Sequence, residues 1–236
     1  MRRLLLIIAL FMAATAAAAD NAVLASRASR AFDNREWASA FAIYTLITPD
    51  TPDAIGPYSR SIVAAWMLPD TAQIGPCVES ALSHGIVLDS LLRQIEAEAF
   101  ALGDAEIYKG ILHTTAEALP FLRRPIDKAL LSFYTTRADG PNMVKYARIM
   151  LAGRPDDIAA MQALAKGYLL AGDTSAAKTA YSDLLVASPR DYDALVALAT
   201  ITMPADPEAA RALIRRALAI KPSPYLEGLL KDSGWK

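Results

Sequence analysis

The sequence predicts an all-α protein, an α-solenoid of about six antiparallel helix pairs closed by a C-terminal capping helix. Three observations carry this. Alanine supplies 47 of the 236 residues and glycine only 11; alanine loses least on entering a helix, and glycine loses most. Apolar runs are closed by Pro155, Pro189 and Pro222, 34 and 33 residues apart, a period that suits one helical hairpin. No segment alternates polar and apolar residues with the two-residue period of a half-buried strand.

Residues 1–19 stand apart. A cationic Met1-Arg2-Arg3 is followed by an apolar run from Leu4 to Ala19 in which only Thr15 is polar, and Ala17-Ala18-Ala19 places small side chains before Asp20. Charge, apolar run and small residues in that order are the layout of a cleaved signal peptide. The run falls short of the roughly 20 apolar residues that span a bilayer, so no stable membrane insertion is expected after cleavage. The expected destination is the periplasm or the exterior. This leader also inflates the mean hydropathy of +0.24.

Residues 20–155 read as weaker helical hairpins. Residues 21–32 pair with a helix carrying Trp37, Ala40 and Tyr44 and stopped by Pro49. Residues 57–68 and 72–84 form the second pair. Residues 89–102 and 104–118 form the third, joined at Gly103-Asp104. Residues 121–137 and 141–152 form the fourth, split at Asp139-Gly140 and closed by Gly153-Arg154-Pro155.

Residues 156–222 hold two clear repeats. In the first, Leu164, Ala165 and Tyr168 mark one helix; Gly172-Asp173 mark the turn; Ala177, Tyr181 and Leu185 mark the second helix, and Pro189 ends it. Small residues belong where helix axes come within about 8 to 10 Å. Glycine fits the left-handed residue after a helix, and Asp173 offers oxygens to the next helix's free N–H groups. In the second repeat Leu195, Leu198 and Ala199 are followed by Ala210, Ile214, Ala217 and Leu218, and Pro222 closes it; Met203-Pro204-Ala205-Asp206-Pro207 replaces the glycine turn. Residues 223–236 supply a last helix and tail, the cap that such arrays need.

These residues resemble the tetratricopeptide repeat (TPR), a 34-residue helix-turn-helix unit. The resemblance implies a right-handed α-solenoid whose first helices line a concave groove that holds a protein or peptide partner. Carried over position by position, the candidate groove residues are Gln162, Lys166 and Leu169 on one helix and Asp193, Val196 and Thr200 on the next. Groove repeats that grip a terminal carboxylate cluster Lys, Arg and Asn at these positions; one Lys facing a Gln and an Asp does not make that clamp. An ordinary solvated lysine is the alternative for Lys166.

Catalytic chemistry is scarce. His84 and His113 are the only histidines and lack metal-ligand spacing. No metal site, cofactor or catalytic residue is expected, and His84, before Gly85, suits a helix C-cap. Cys77 is the single cysteine, so no internal disulfide forms, and its apolar surroundings suit a buried thiol. Glu96 and Glu98 lie two apart and face different sides of a helix, Asp156, Asp157 and Asp191 sit at helix starts, and all read as solvated charges or caps. Lys and Arg total 24 against 25 Asp and Glu, which leaves no basic footprint for nucleic acid. Trp37, Trp66, Trp235, Tyr58 and Tyr108 are candidate partner anchors, with Trp37 and Trp66 favouring the core. The expectation is an exported, non-catalytic binding or scaffolding module. A cell-wall glycan-acting enzyme, or a solenoid that binds a small molecule or peptidoglycan, stays open as the alternative.

Overall fold

The computed structural model describes residues 20–51 and 53–231; the leader at 1–19, and Trp235 in the C-terminal tail, lie outside them. Thirteen α-helices run through the described residues, with no strand among them. They are α1 (20–33), α2 (Trp37–Ile47), α3 (Ile55–Trp66), α4 (Ile74–Ser83), α5 (Leu88–Ala101), α6 (Ala105–Ala118), α7 (Arg123–Thr136), α8 (Gly140–Gly153), α9 (Ile158–Leu170), α10 (Thr174–Ala187), α11 (Tyr192–Thr202), α12 (Pro207–Leu218) and α13 (Pro224–Lys231). Short connections join the helices, and α3 with α4, α5 with α6, α9 with α10 and α11 with α12 pack as hairpins. Short 3₁₀ turns at Thr48–Asp50, Thr71–Gln73 and Pro120–Leu122 absorb Pro49 and Pro120.

The contacts divide the chain into two compact units, one ending at Ile126 and one beginning at Asp127. Residue 155, by contrast, marks where the repeat pattern becomes clear in sequence, a different property from compactness.

In the first unit α3 is the hub, packed against α2, α4, α5 and α6. Tyr58, Ser59, Ser61, Ile62, Val63, Ala64 and Ala65 are all buried, so this helix is enclosed nearly all round, with the two serine hydroxyls donating to the carbonyls of Gly56 and Tyr58 in its own backbone. Its one large charge, Arg60, is neutralised within the fold. The guanidinium donates from Nε to Glu98 Oε1 at 3.0 Å, and from Nη1 to Ser29 Oγ at 2.9 Å and Tyr44 Oη at 3.4 Å. It also lies 5.2 Å from the centre of the Phe32 ring. Gln94 donates to the same Glu98 oxygen. Side chains from α1, α2, α3 and α5 therefore meet at one cation. The expectation of a solvated Glu98 is corrected: the residue is 8% exposed, and its carboxylate satisfies a half-buried arginine that would otherwise be costly to desolvate.

In the second unit each helix touches the next, from α8 through α13. The alanines that the repeat pattern placed at helix contacts are there: Ala165, Ala177, Ala199, Ala210 and Ala217 are all buried. The closest approach uses glycines instead. A Cβ on Gly140 would stand 2.5 Å from the Ala171 nitrogen and 2.7 Å from the Gly167 carbonyl oxygen, and one on Gly167 would meet Met143 and Val144 at 3.0 and 3.1 Å. The start of α8 and the end of α9 thus pack backbone to backbone.

The ends of these helices follow from aspartate chemistry. Asp139, Asp157, Asp173, Asp191 and Asp206 each accept a hydrogen bond from the backbone N–H three residues on, capping α8 to α12 in succession. Gly172 takes the left-handed φ of 81° expected of it, whereas the turn before Asp139 places Ala138 at φ 54°, a conformation that costs a non-glycine residue about 1 to 2 kcal/mol.

Candidate functional site

The second unit contains a cavity of about 450 Å³, within the roughly 300 to 1,000 Å³ range of small-ligand sites. α7 contributes Lys128, Leu131, Ser132, Thr135 and Thr136; α9 contributes Ala159, Gln162, Ala163 and Lys166; Tyr181 and Leu184 come from α10, and Asp191, Asp193 and Ala194 from the start of α11. Leu131, Leu184 and Ala194 are buried and make an apolar floor. The walls are polar. Lys128 and Lys166 are exposed, as is Asp193, and none of the three forms a hydrogen bond or ion pair with the described residues. Asp191 is engaged: one oxygen caps α11 through the Ala194 N–H at 2.9 Å, and the other accepts Gln162 Nε2 at 2.6 Å.

Tyr181 lines the same cavity. It is 6% exposed, and burial, with the charges of Asp191 and Asp193 adding to it, raises its phenol above the ordinary value. The hydroxyl therefore stays protonated, and it has no hydrogen-bond partner among the described residues.

Of the six groove residues named from the sequence, Gln162, Lys166 and Asp193 line this cavity. The other three do not. Leu169 is 39% exposed outside it, Val196 packs against the hydrophobic core of the unit, and the Thr200 hydroxyl donates to the Val196 carbonyl of its own helix. The contribution of α7 escaped the sequence reading because no repeat register reached residues 121–137. A signal was present: Lys128, Ser132 and Thr135 recur at i, i+4 and i+7, one polar helical face.

Two further cavities lack such walls. One of about 420 Å³ is lined by Leu151, Pro155, Met161, Leu164, Tyr168, Ala176, Thr179, Ala180 and Asp183, and the Tyr168 hydroxyl there accepts from Arg148. The other, about 130 Å³ in the first unit, holds Cys77. Burial pushes that thiol up to about 11, which suppresses the reactive thiolate at neutral pH.

Several expected anchors are structural. Tyr58 is buried and donates to the Thr48 carbonyl at 3.1 Å, and Tyr108 is buried too, so neither offers a partner an anchor. Trp37 is half-buried, edge-on to Phe32 at 5.4 Å. Trp66, also half-buried, fills the space left by Gly110. His84 closes α4 by placing Nδ1 2.8 Å from the Ser80 carbonyl. Among the described residues no group of His, Cys, Asp and Glu has the geometry to hold a metal ion, and no helix is long and apolar enough to cross a membrane.

No protein-family model and no curated protein sequence matches this chain. The similar solved structures include tetratricopeptide repeat proteins. The C-terminal part of a TPR repeat-containing protein from Cytophaga hutchinsonii is 13% identical, with 83% of this chain and 78% of that one covered at a TM-score of 0.49. A tetratricopeptide repeat protein from Parabacteroides merdae is 15% identical, covering 89% and 85% at 0.46. A TPR2AB domain of yeast Sti1, solved in a pHSP90 complex, is 15% identical, covering 86% and 91% at 0.35.

Proposed function

We propose that this chain is exported and works as a binding or scaffolding module, holding a segment of a partner protein against α7, α9 and α11 without chemistry of its own. The observation that carries the reading is the cavity: an apolar floor walled by two lysines and an aspartate that satisfy nothing in the described fold. Charges left unpaired around a concave apolar surface cost the free protein little, and they reward a complementary ligand. The TPR-like repeats at 156–222 support the same reading, since their first helices supply α9 and α11. The leader-like residues 1–19 support export.

A photo-crosslinking residue at Ser132, on the cavity wall, should give a protein adduct in envelope extract, while the same group at Lys178, exposed on α10 and outside the cavity, should not. Turnover of cell-wall glycan by the purified chain would overturn the reading. Export is checked by the N-terminus of the chain recovered from the envelope: Asp20 is expected, and retention of Met1 in a cytosolic chain would exclude it.

A further inference from the structure

Two buried tyrosines of the first unit have their hydroxyls matched inside the fold. Tyr58 donates to the Thr48 carbonyl at 3.1 Å, and Tyr44 accepts from Arg60 Nη1 at 3.4 Å. Tyr181 is more than nine-tenths buried as well, yet no hydrogen bond reaches its hydroxyl among the described residues. Asp191 does not take it: the two oxygens of that carboxylate accept from the Ala194 N–H and from Gln162 Nε2. The Tyr181 oxygen is nevertheless open to solvent, unlike the Thr115 hydroxyl of α6, which is both sealed and unmatched. It opens into the cavity of the second unit, since Tyr181 lines that cavity and neither of the other two. A phenylalanine would fill the same volume, and an unmatched buried O–H works against folding, so packing gives no reason for the oxygen. The charges acting on it are those of Asp191 and Asp193. A carboxylate brought to this hydroxyl is therefore repelled, whereas an uncharged carbonyl is not.

We propose that Tyr181 is the specificity-determining residue of this cavity, its hydroxyl donating a hydrogen bond to an uncharged carbonyl oxygen of the partner segment. The carbonyl belongs to the main chain of that segment or to an Asn or Gln side chain. A segment that brings only apolar surface leaves the donor unmatched, and one that brings a carboxylate is opposed by the two aspartates, so both are discriminated against. The exposed charges of Lys128, Lys166 and Asp193 are solvated and discriminate less than a buried donor does. This inference rests on the binding reading above and names the group that the partner must supply.

The test is Tyr181→Phe, which removes one oxygen and keeps the ring, read in two ways. In thermal unfolding of the free chain its midpoint should be unchanged or raised, whereas Tyr58→Phe, which strands the buried Thr48 carbonyl, should lower it. A fall for Tyr181→Phe as large as that for Tyr58→Phe gives the hydroxyl a structural role and overturns the inference. For binding, a library of end-blocked hexapeptides is presented to the full chain. The peptides it retains should bind Tyr181→Phe about three- to tenfold more weakly, the range of one neutral hydrogen bond. Exchanging each amide of the best peptide in turn for a thioamide, a poorer acceptor, locates a main-chain carbonyl: one position should weaken binding to the unaltered chain and have no further effect on Tyr181→Phe. Where an Asn or Gln supplies the carbonyl, its replacement by Leu should show that coupling instead. Equal retention by the two chains, or retention that needs Asp, Glu or a free C-terminal carboxylate, overturns this inference and leaves the binding reading standing. Retention of no peptide by the unaltered chain overturns both.

Discussion

The two units solve the same packing problem differently. In the first, one helix serves four partners: α3 meets α2, α4, α5 and α6, and its Arg60 gathers side chains from α1, α2 and α5. In the second, α8 to α13 touch in sequence, and each of α8 to α12 begins with its own aspartate cap. In the first unit α2, α3, α4 and α5 start without a side-chain cap. A hub derives its order from tertiary packing, whereas a row of neighbours gains from locally competent helices, because each helix has fewer partners to hold it.

The largest expected effects probe that contrast directly. Ile62→Ala in α3 and Tyr181→Ala in α10 each open a cavity at a buried site and should cost about 3 to 5 kcal/mol. Their reach should differ. Amide hydrogen exchange should accelerate across α2 to α6 for Ile62→Ala but mainly in α9 to α11 for Tyr181→Ala. Uniform acceleration through α8 to α13 in the second case would erase the distinction.

Glycine contacts come next. Gly140→Ala drives a Cβ into the backbone of α9, which cannot step aside, and should cost about 3 kcal/mol in chemical denaturation. On Gly110 an added Cβ meets first the Trp66 ring, two of its outer atoms at 2.2 Å. That half-buried ring can turn, so a smaller loss of about 1 kcal/mol is expected. Equal losses would show that α8 and α9 can separate more easily than their backbone contact implies.

The Arg60 cluster is the hub's polar counterpart. Glu98→Ala should cost about 2 kcal/mol, less than a fully buried pair because Arg60 retains some access to water. Replacing both partners, Arg60→Met with Glu98→Leu, should cost less than either single change, measured as the midpoint of thermal unfolding. The smallest effects lie at helix ends. Asp157→Ala and Asp173→Ala should each cost about 1 kcal/mol, while Glu36→Ala, which removes no cap bond, should be close to neutral in the same melts.

These predictions follow the line between what the sequence discloses and what it conceals. Hairpin order was legible throughout, since breakers and apolar faces are local signals. So were Ala165 and Ala177, because a small residue at a repeated position marks a helix contact. Gly140 was read as punctuation between helices, yet it is where two backbones meet; a glycine looks the same in both roles. Arg60 and Glu98 are 38 residues apart, and a charge in a weak repeat looks solvated until its partner is known. The cavity was half legible for a similar reason. Gln162, Lys166 and Asp193 lie where the clear repeats fix a register, whereas Lys128, Ser132 and Thr135 lie upstream of them.

Sequential contact from α8 onward also bears on how such a chain can change length. A helix pair that meets only its flanking pairs can be duplicated in the gene, because a copy of residues 156–189 placed after Pro189 presents to α11 the surface it already accepts and creates one new junction, between α10 and the copy of α9. The hub offers no such seam. A hairpin inserted beside α3 would separate Arg60 from Glu98, so growth by whole repeats is open to one half of this protein and closed to the other.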